Sequence, residues 1–142
     1  CGYRMGLAHY YAGRYSQAAQ TFESCISLCD DEMGIAVIYW HTLSACRAGV
    51  APSLLCLYNT GMKVGHHTAY EKAMRIWSGA EVYSDGQTRL ALEPDDMEYA
   101  ITQYGLAYHP QCPDGQKILT EIIARDGFWP CFSYLAAWND LH

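Results

Sequence analysis

The residues in this sequence that could do chemistry are its thiols and imidazoles, several of which occur at helical spacing. Cys25 and Cys29 are four residues apart, so both can face one side of a helix, and His41 and Cys46 follow on the next predicted helix. Thiolates and imidazoles are the ligands that zinc prefers. Structural zinc sites, however, usually take pairs of cysteines with two residues between them, in tight turns, and this sequence has no such pair. Burial of a small thiol is a sufficient explanation of Cys25, so no metal site is predicted.

The other polar pairs do not predict catalysis. The adjacent imidazoles of His66 and His67 lie on an irregular segment and have no nucleophile or carboxylate at a recognisable spacing. The acidic pairs at 30–31 and 95–96 stand at predicted helix starts, where carboxylates interact favourably with the helix dipole. Glycine-rich phosphate loops are absent from the sequence. We therefore expect a protein that is not an enzyme and that needs no cofactor.

Composition narrows the class of protein further. The chain has 142 residues, 51% of them hydrophobic and only 17% charged, with a net charge of −6. That length fits one domain with one core, and the nine Lys and Arg residues form no basic stripe for nucleic acid. No apolar run approaches the length of a membrane span. We expect a protein or peptide partner, without nucleic acid and without a spanning helix.

The cysteines bear on the compartment. Seven cysteines are an odd number, which argues against a disulfide framework and favours a reducing, cytoplasmic compartment. Cys1 followed by Gly2 also matches the start of a mature bacterial lipoprotein, and in that case the protein would be anchored at the cell envelope. The missing initiator Met suggests a fragment or a processed product. Both readings of the N-terminus stay open at this point.

Apolar residues recur with the period of an α-helix almost everywhere, which predicts an all-α fold. Ala18, Phe22, Cys25 and Cys29 form one such series. Four glycines, at positions 13, 49, 79 and 115, mark candidate turns, and their separations are 36, 30 and 36 residues. Such spacing predicts a solenoid of about four antiparallel helical hairpins followed by a capping helix. The predicted units are 3–30, 32–58, 68–92 and 95–126, with the terminal helix at 130–141.

Two segments resemble the tetratricopeptide repeat (TPR) superfamily, in the divergent form found in bacterial proteins. The run from Gly13 to Phe22 is similar to the turn and second helix of a TPR unit, with Ala18 and Phe22 as the small and aromatic pair. Gly6 and Gly105 match the small residue where two helices touch, and Tyr108 matches the packing tyrosine. The early Trp and the unit-ending Pro of the family are absent. The resemblance implies a non-catalytic scaffold or adaptor.

In a TPR hairpin the first helix lines a concave groove, and the resemblance assigns candidate peptide-binding residues accordingly. Tyrosine and arginine at such positions combine a large contact area with a polar group, which suits peptide recognition. The candidates are Tyr3, Leu7, Tyr10, Tyr11, Tyr39, Leu43, Arg47, Thr102, Leu106 and His109.

The C-terminal segment is rich in large apolar side chains, among them Phe128, Trp129 and Trp138. It would cap the last apolar face of the solenoid or serve as a surface for homo-oligomers. Two other functions also stay open. The chain could be a structural module whose groove is filled by the rest of a larger protein, or a metal or thiol sensor that uses Cys25, Cys29 and Cys46.

Overall fold

The computed structural model describes residues 2–127 and 130–142, and over these residues the fold is all-helical, without strands. Two short 3₁₀ helices, Ile26–Leu28 and Ser53–Leu57, interrupt a series of eight α-helices. The α-helices are α1 (Tyr3–Tyr11), α2 (Tyr15–Cys25), α3 (Asp31–Ala48), α4 (Thr68–Trp77), α5 (Tyr83–Leu90), α6 (Asp96–Ala107), α7 (Gly115–Ala124) and α8 (Phe132–Leu141).

Most helix boundaries lie where the sequence signals place them. Gly49 ends α3 with a left-handed backbone, φ 76°, and Gly13 takes the same conformation, φ 83°, in the turn between α1 and α2. The side chains of Asp30 and Asp95 cap α3 and α6 by accepting hydrogen bonds from backbone N–H groups, as Asp114 does at α7. The carboxylates predicted at helix starts therefore have this structural role.

Two helix starts differ in detail from what the local sequence indicates. Thr68 and Glu71 have the spacing of a capping box, and α4 does begin at Thr68, but no side chain caps it, because Thr68 donates a hydrogen bond to Glu98 and Glu71 binds Arg75. Pro130 was expected in the first turn of the terminal helix, which instead begins at Phe132.

Two helices form the centre of the molecule. Every residue of α3 from 34 to 45 is buried, and so is every residue of α6 from 99 to 107. A helix that is buried on all its faces must be surrounded by other helices. Helices α2 and α4 pack on α3, while α4, α5, α7 and α8 pack on α6.

Glycines allow two of these helix pairs to approach closely. A Cβ atom built on Gly6 of α1 would lie 2.6 Å from Cζ of Phe22 in α2. A Cβ on Gly105 of α6 would lie 2.6 Å from Cε2 of Tyr39 in α3 and 3.0 Å from Cβ of Ala73 in α4. The close neighbours of Gly105 therefore belong to α3 and α4, whereas the sequence pattern expected the second helix of its own hairpin.

Helix α8 packs against both α6 and α7. Its Phe132 side chain also contacts α1 and α3. The centre of the Phe132 ring lies 5.1 Å from that of Trp40 in α3 and 6.0 Å from that of Tyr11 in α1. This helix thus does more than cover the last hairpin. Phe128 and Trp129, and Cys1 at the other end, lie outside the described residues. None of the described helices is long and apolar enough to span a membrane.

Candidate functional site

A buried ion pair lies where the ends of four helices meet. Arg47 near the end of α3 binds Asp140 of α8, with 2.9 Å between Nη1 and Oδ2. The side chain of Asp140 is only 6% exposed and that of Arg47 is 19% exposed. Tyr10 of α1 and Tyr104 of α6 complete the meeting point. We refer to Arg47, Tyr10, Tyr15, Tyr104 and Tyr108 together as the Arg47 site.

One oxygen of Asp140, Oδ2, accepts three hydrogen bonds at this site. Besides Arg47, the hydroxyl of Tyr104 donates to Oδ2 over 2.7 Å, and that of Tyr108 over 2.6 Å. Because the Tyr104 hydroxyl donates its hydrogen bond to the carboxylate, the Tyr10 hydroxyl must donate to Tyr104 in the close contact between the two phenols. Tyr10 in turn accepts from Arg47 over 3.2 Å. Such charge-assisted bonds are stronger than neutral ones.

Aromatic rings hold the guanidinium group in position. The Cζ atom of Arg47 lies 4.2 Å from the ring centre of Tyr15 and 4.6 Å from that of Tyr108, so the cation lies against two π faces. Burial raises the pKa of Tyr10 and Tyr104 well above the ordinary value for a phenol. Both phenols therefore stay protonated and act as hydrogen-bond donors. The Arg47 site thus surrounds the Asp140 carboxylate with one cation and two phenol donors.

The rest of α8 contacts side chains and backbone groups of α1, α3 and α7. The side-chain amide of Asn139 donates to the carbonyl oxygen of Tyr11 over 3.1 Å, at the end of α1. At the other end of α8 the Phe132 ring stands perpendicular to Trp40. The hydroxyl of Tyr134 donates to the Ile123 carbonyl of α7 over 3.3 Å. We call the surface that α8 covers, which is formed by α6 and α7 together with side chains of α1 and α3, the inner surface.

The ten candidate groove residues divide into five that are buried in the core and five that are accessible. Five of them are buried and are reached by a partner only if helices separate: Tyr10, Tyr39, Leu43, Thr102 and Leu106. They are buried because α3 and α6 are surrounded, which the pattern of a single exposed groove face did not anticipate. The hydroxyl of Tyr39, for example, donates to the Ile101 carbonyl over 2.6 Å inside the core.

The other five candidates are partly or fully accessible. Tyr3 and Leu7 of α1 are half-buried against the core, and Tyr11 is 41% exposed. Arg47 is brought into contact with Tyr10, as described. His109 lies elsewhere: its ring stacks on Tyr83 and packs edge-on against Trp77, on the side of α4 and α5. The ten candidates therefore do not form one continuous surface.

Sequence reasoning did not select Asp140, Tyr15, Tyr104 and Tyr108 as site residues. Tyr104 and Tyr108 were interpreted as packing positions, which is correct for their rings but leaves out their hydroxyl groups. A usable signal existed for Asp140, because it is the single acid in the terminal helix among aromatic and aliphatic residues. A lone carboxylate in such a segment requires a cationic partner if it is buried.

The thiols and imidazoles singled out at the beginning have ordinary structural surroundings. The thiol of Cys25 donates to the Phe22 carbonyl over 3.5 Å, and that of Cys29 to the Cys25 carbonyl over 3.2 Å. Burial raises the pKa of both thiols. His66 donates its backbone N–H to Glu32, and the His67 ring binds the Glu32 carbonyl. Among residues 2–127 and 130–142, no three His, Cys, Asp or Glu side chains are grouped to hold a metal ion.

His41 is wholly buried, and it binds Glu23 of α2 with 2.9 Å between Nε2 and Oε1.

Comparison of the chain with protein-family models, with curated proteins and with solved structures gives no match. The functional argument therefore rests on the molecule's own contacts.

Proposed function

We propose that this protein is a non-catalytic interaction module that binds a helical segment of another protein on its inner surface. The observation that supports the proposal is the surface on which α8 lies: besides its packing on α6 and α7, it contacts aromatic rings and a partly buried cation of α1 and α3. Such packing is a helix-in-groove mode of recognition, in which affinity comes from anchors on one helix face. Large aromatic residues and arginine are the usual anchors of protein interfaces.

The proposal includes a TPR-like arrangement of hairpins. Helices α1 and α2 would be the first hairpin, α3 and the 3₁₀ helix Ser53–Leu57 the second, α4 and α5 the third, and α6 and α7 the fourth. The contact between Gly6 and Phe22 supports this in the first hairpin, because it joins the small and aromatic positions of the TPR pattern. In this arrangement α8 lies on the face that TPR proteins use for ligands.

The contacts of α8 also support a second possible function, that of a structural module. If α8 never leaves the inner surface, the chain is a structural module whose groove is permanently filled by its own residues. The small exposure of the Asp140 side chain, 6%, favours this alternative, because removal of α8 would leave the partly buried Arg47 without its carboxylate. The two functions differ in one measurable respect, which is whether the inner surface exchanges α8 for another helix.

The experiment compares two forms of the full chain as bait for partners in a lysate of the source organism. In the wild type the Asp140–Arg47 ion pair holds α8 on the inner surface. The Asp140→Asn variant keeps the shape of the side chain at position 140 and removes its charge. Asp85→Asn is the matched control, because Asp85 is an exposed carboxylate on α5. Captured proteins are identified by mass spectrometry, and hydrogen exchange of the complex then locates the binding surface.

We expect Asp140→Asn to capture a partner more efficiently than the wild type and Asp85→Asn. We further expect the partner to slow exchange in α1, α3 and α6. A partner that protects only α2 or α5, which α8 does not cover, would contradict binding on the inner surface. Equal and negligible capture by all three folded baits would support the structural module instead.

A further inference from the structure

The contacts of α8 with α1 and α3 are made at the two ends of the helix. Its fully buried side chains, Ser133, Ala136 and Ala137, are small, and Tyr134 and Leu141 also pack against the core. The Phe132 ring contacts Trp40 and Tyr11 at one end, and Asp140 binds Arg47 at the other. Phe132 and Asp140 are therefore the two anchors that join α8 to the helices of the N-terminal half.

The packing of α8 is also imperfect in its polar atoms. Ser133 Oγ is buried without a hydrogen-bond partner among the described residues. A buried polar atom without a partner loses the hydrogen bonds that water would give it. A different helix with alanine at the position of Ser133 would avoid this loss.

The Arg47 site itself is preorganised. Arg47 is held between two rings, and Tyr10 donates to Tyr104, so the donors point at the carboxylate position from the ends of two helices, α3 and α6. None of these donors belongs to α8. The site can therefore receive a carboxylate from any helix that places one at the same point, and Asp140 occupies it as an internal substitute.

We propose that the partner of this protein is a helix that carries an aromatic residue and, eight residues later, an Asp or Glu that replaces Asp140 in the Arg47 site. This proposal rests on the proposed function. The spacing follows from α8, in which Phe132 and Asp140 are the anchors and the small residues Ala136 and Ala137 lie between them. Eight residues of helix span about 12 Å. Helix α8 is then an internal competitor that the partner displaces.

The test uses two synthetic peptides with the sequence of residues 130–142, one unchanged and one with Asp140→Asn, both with a fluorescent label and under reducing conditions. Each peptide is titrated by fluorescence anisotropy against the wild-type chain, the Asp140→Asn chain and the Asp85→Asn control. In the Asp140→Asn chain the internal helix has lost its charged anchor, whereas Arg47 and the four tyrosines of the Arg47 site are intact.

We expect the unchanged peptide to bind the Asp140→Asn chain at least about tenfold more tightly than it binds the wild type or the control. On the Asp140→Asn chain, the Asn peptide should bind about tenfold more weakly than the unchanged one, a difference of about 1.4 kcal/mol. Equal binding of both peptides would overturn carboxylate recognition and leave the inner surface as a helix-binding site. Absence of binding to a natively folded Asp140→Asn chain would overturn the proposed function as well.

A second host covers the case in which Asp140→Asn does not fold. Phe132→Ala weakens the other end of α8 and leaves the Arg47 site untouched, so the same pair of peptides can be titrated against it. Near-ultraviolet circular dichroism reports whether each host keeps its native aromatic packing. If neither host retains the wild-type spectrum, α8 is an integral part of the core, and both the displacement and the proposed function are wrong.

Discussion

Replacement of Gly105 by alanine tests the central packing of the molecule most directly. The new Cβ would lie 2.6 Å from Cε2 of Tyr39 and 3.0 Å from Cβ of Ala73. Neither neighbour can move aside easily, because both are fully buried and Tyr39 is also held by its hydrogen bond to Ile101. Helix α6 would have to shift away from α3 and α4.

The size of the effect is the difference between two terms. Overpacking of a well-packed core by one methyl group costs about 1–3 kcal/mol. Alanine in place of glycine inside a helix returns about 1 kcal/mol. We therefore expect Gly105→Ala to lower the free energy of unfolding by about 0–2 kcal/mol.

Gly34 of α3 provides the matched control, because it is also buried in a helix but a Cβ there meets only Cδ1 of Ile26 at 3.9 Å. Gly34→Ala therefore retains the helix-propensity gain without the clash, and we expect it to stabilise the protein by about 0.5–1 kcal/mol.

Both variants are unfolded in urea and followed by far-ultraviolet circular dichroism, with the slope of the transition checked for change. The informative quantity is the gap between the two variants, expected to be about 1–3 kcal/mol. If Gly105→Ala is as stable as Gly34→Ala, Tyr39 and Ala73 do not contact α6 in the way described.

Three further predictions concern the caps, one imidazole and the thiols. Asp95→Ala and Asp114→Ala should each lower the free energy of unfolding by about 1 kcal/mol, because each removes a helix N-cap; urea unfolding that shows no loss in either variant would contradict this. Burial lowers the pKa of His109, so the unfolded chain binds the proton first as the pH falls. Stability from this residue is then complete above pH about 6.5 and declines below it, and urea titrations of His109→Gln should show a shallower decline towards acid than the wild type. Cys25 is 3% exposed and burial raises its pKa, so iodoacetamide should modify it about tenfold more slowly than exposed Cys56; peptide mapping that finds equal rates would disprove this.

Local features of the fold were predictable from the sequence because their causes are local. Glycine is the residue that tolerates a left-handed backbone, so Gly13 and Gly49 indicated helix ends without any knowledge of the tertiary structure. The same is true of the carboxylates at Asp30 and Asp95, whose capping partners lie three residues away. Helical periodicity predicted the all-α class for the same reason.

The contents of the site were not predictable in this way, because its members are distant in sequence. Tyr10 meets Tyr104 across 94 residues, and Arg47 meets Asp140 across 93. The pattern of residues on α3 predicted one face towards a groove, but its burial on all sides depends on where α2, α4 and the 3₁₀ helix Ser53–Leu57 lie. A helix pattern describes which residues share a face and does not say which other helix covers that face.

The contact between α1 and α8 has a consequence for synthesis of the protein on the ribosome. Asn139 binds Tyr11 across 128 residues of chain, so almost the whole polypeptide must emerge before the inner surface is covered. Until then, Trp40 and its neighbouring rings remain open to water and to other nascent chains. We expect such chains to need protection by chaperones, and a premature stop before residue 130 to give a product that cells degrade.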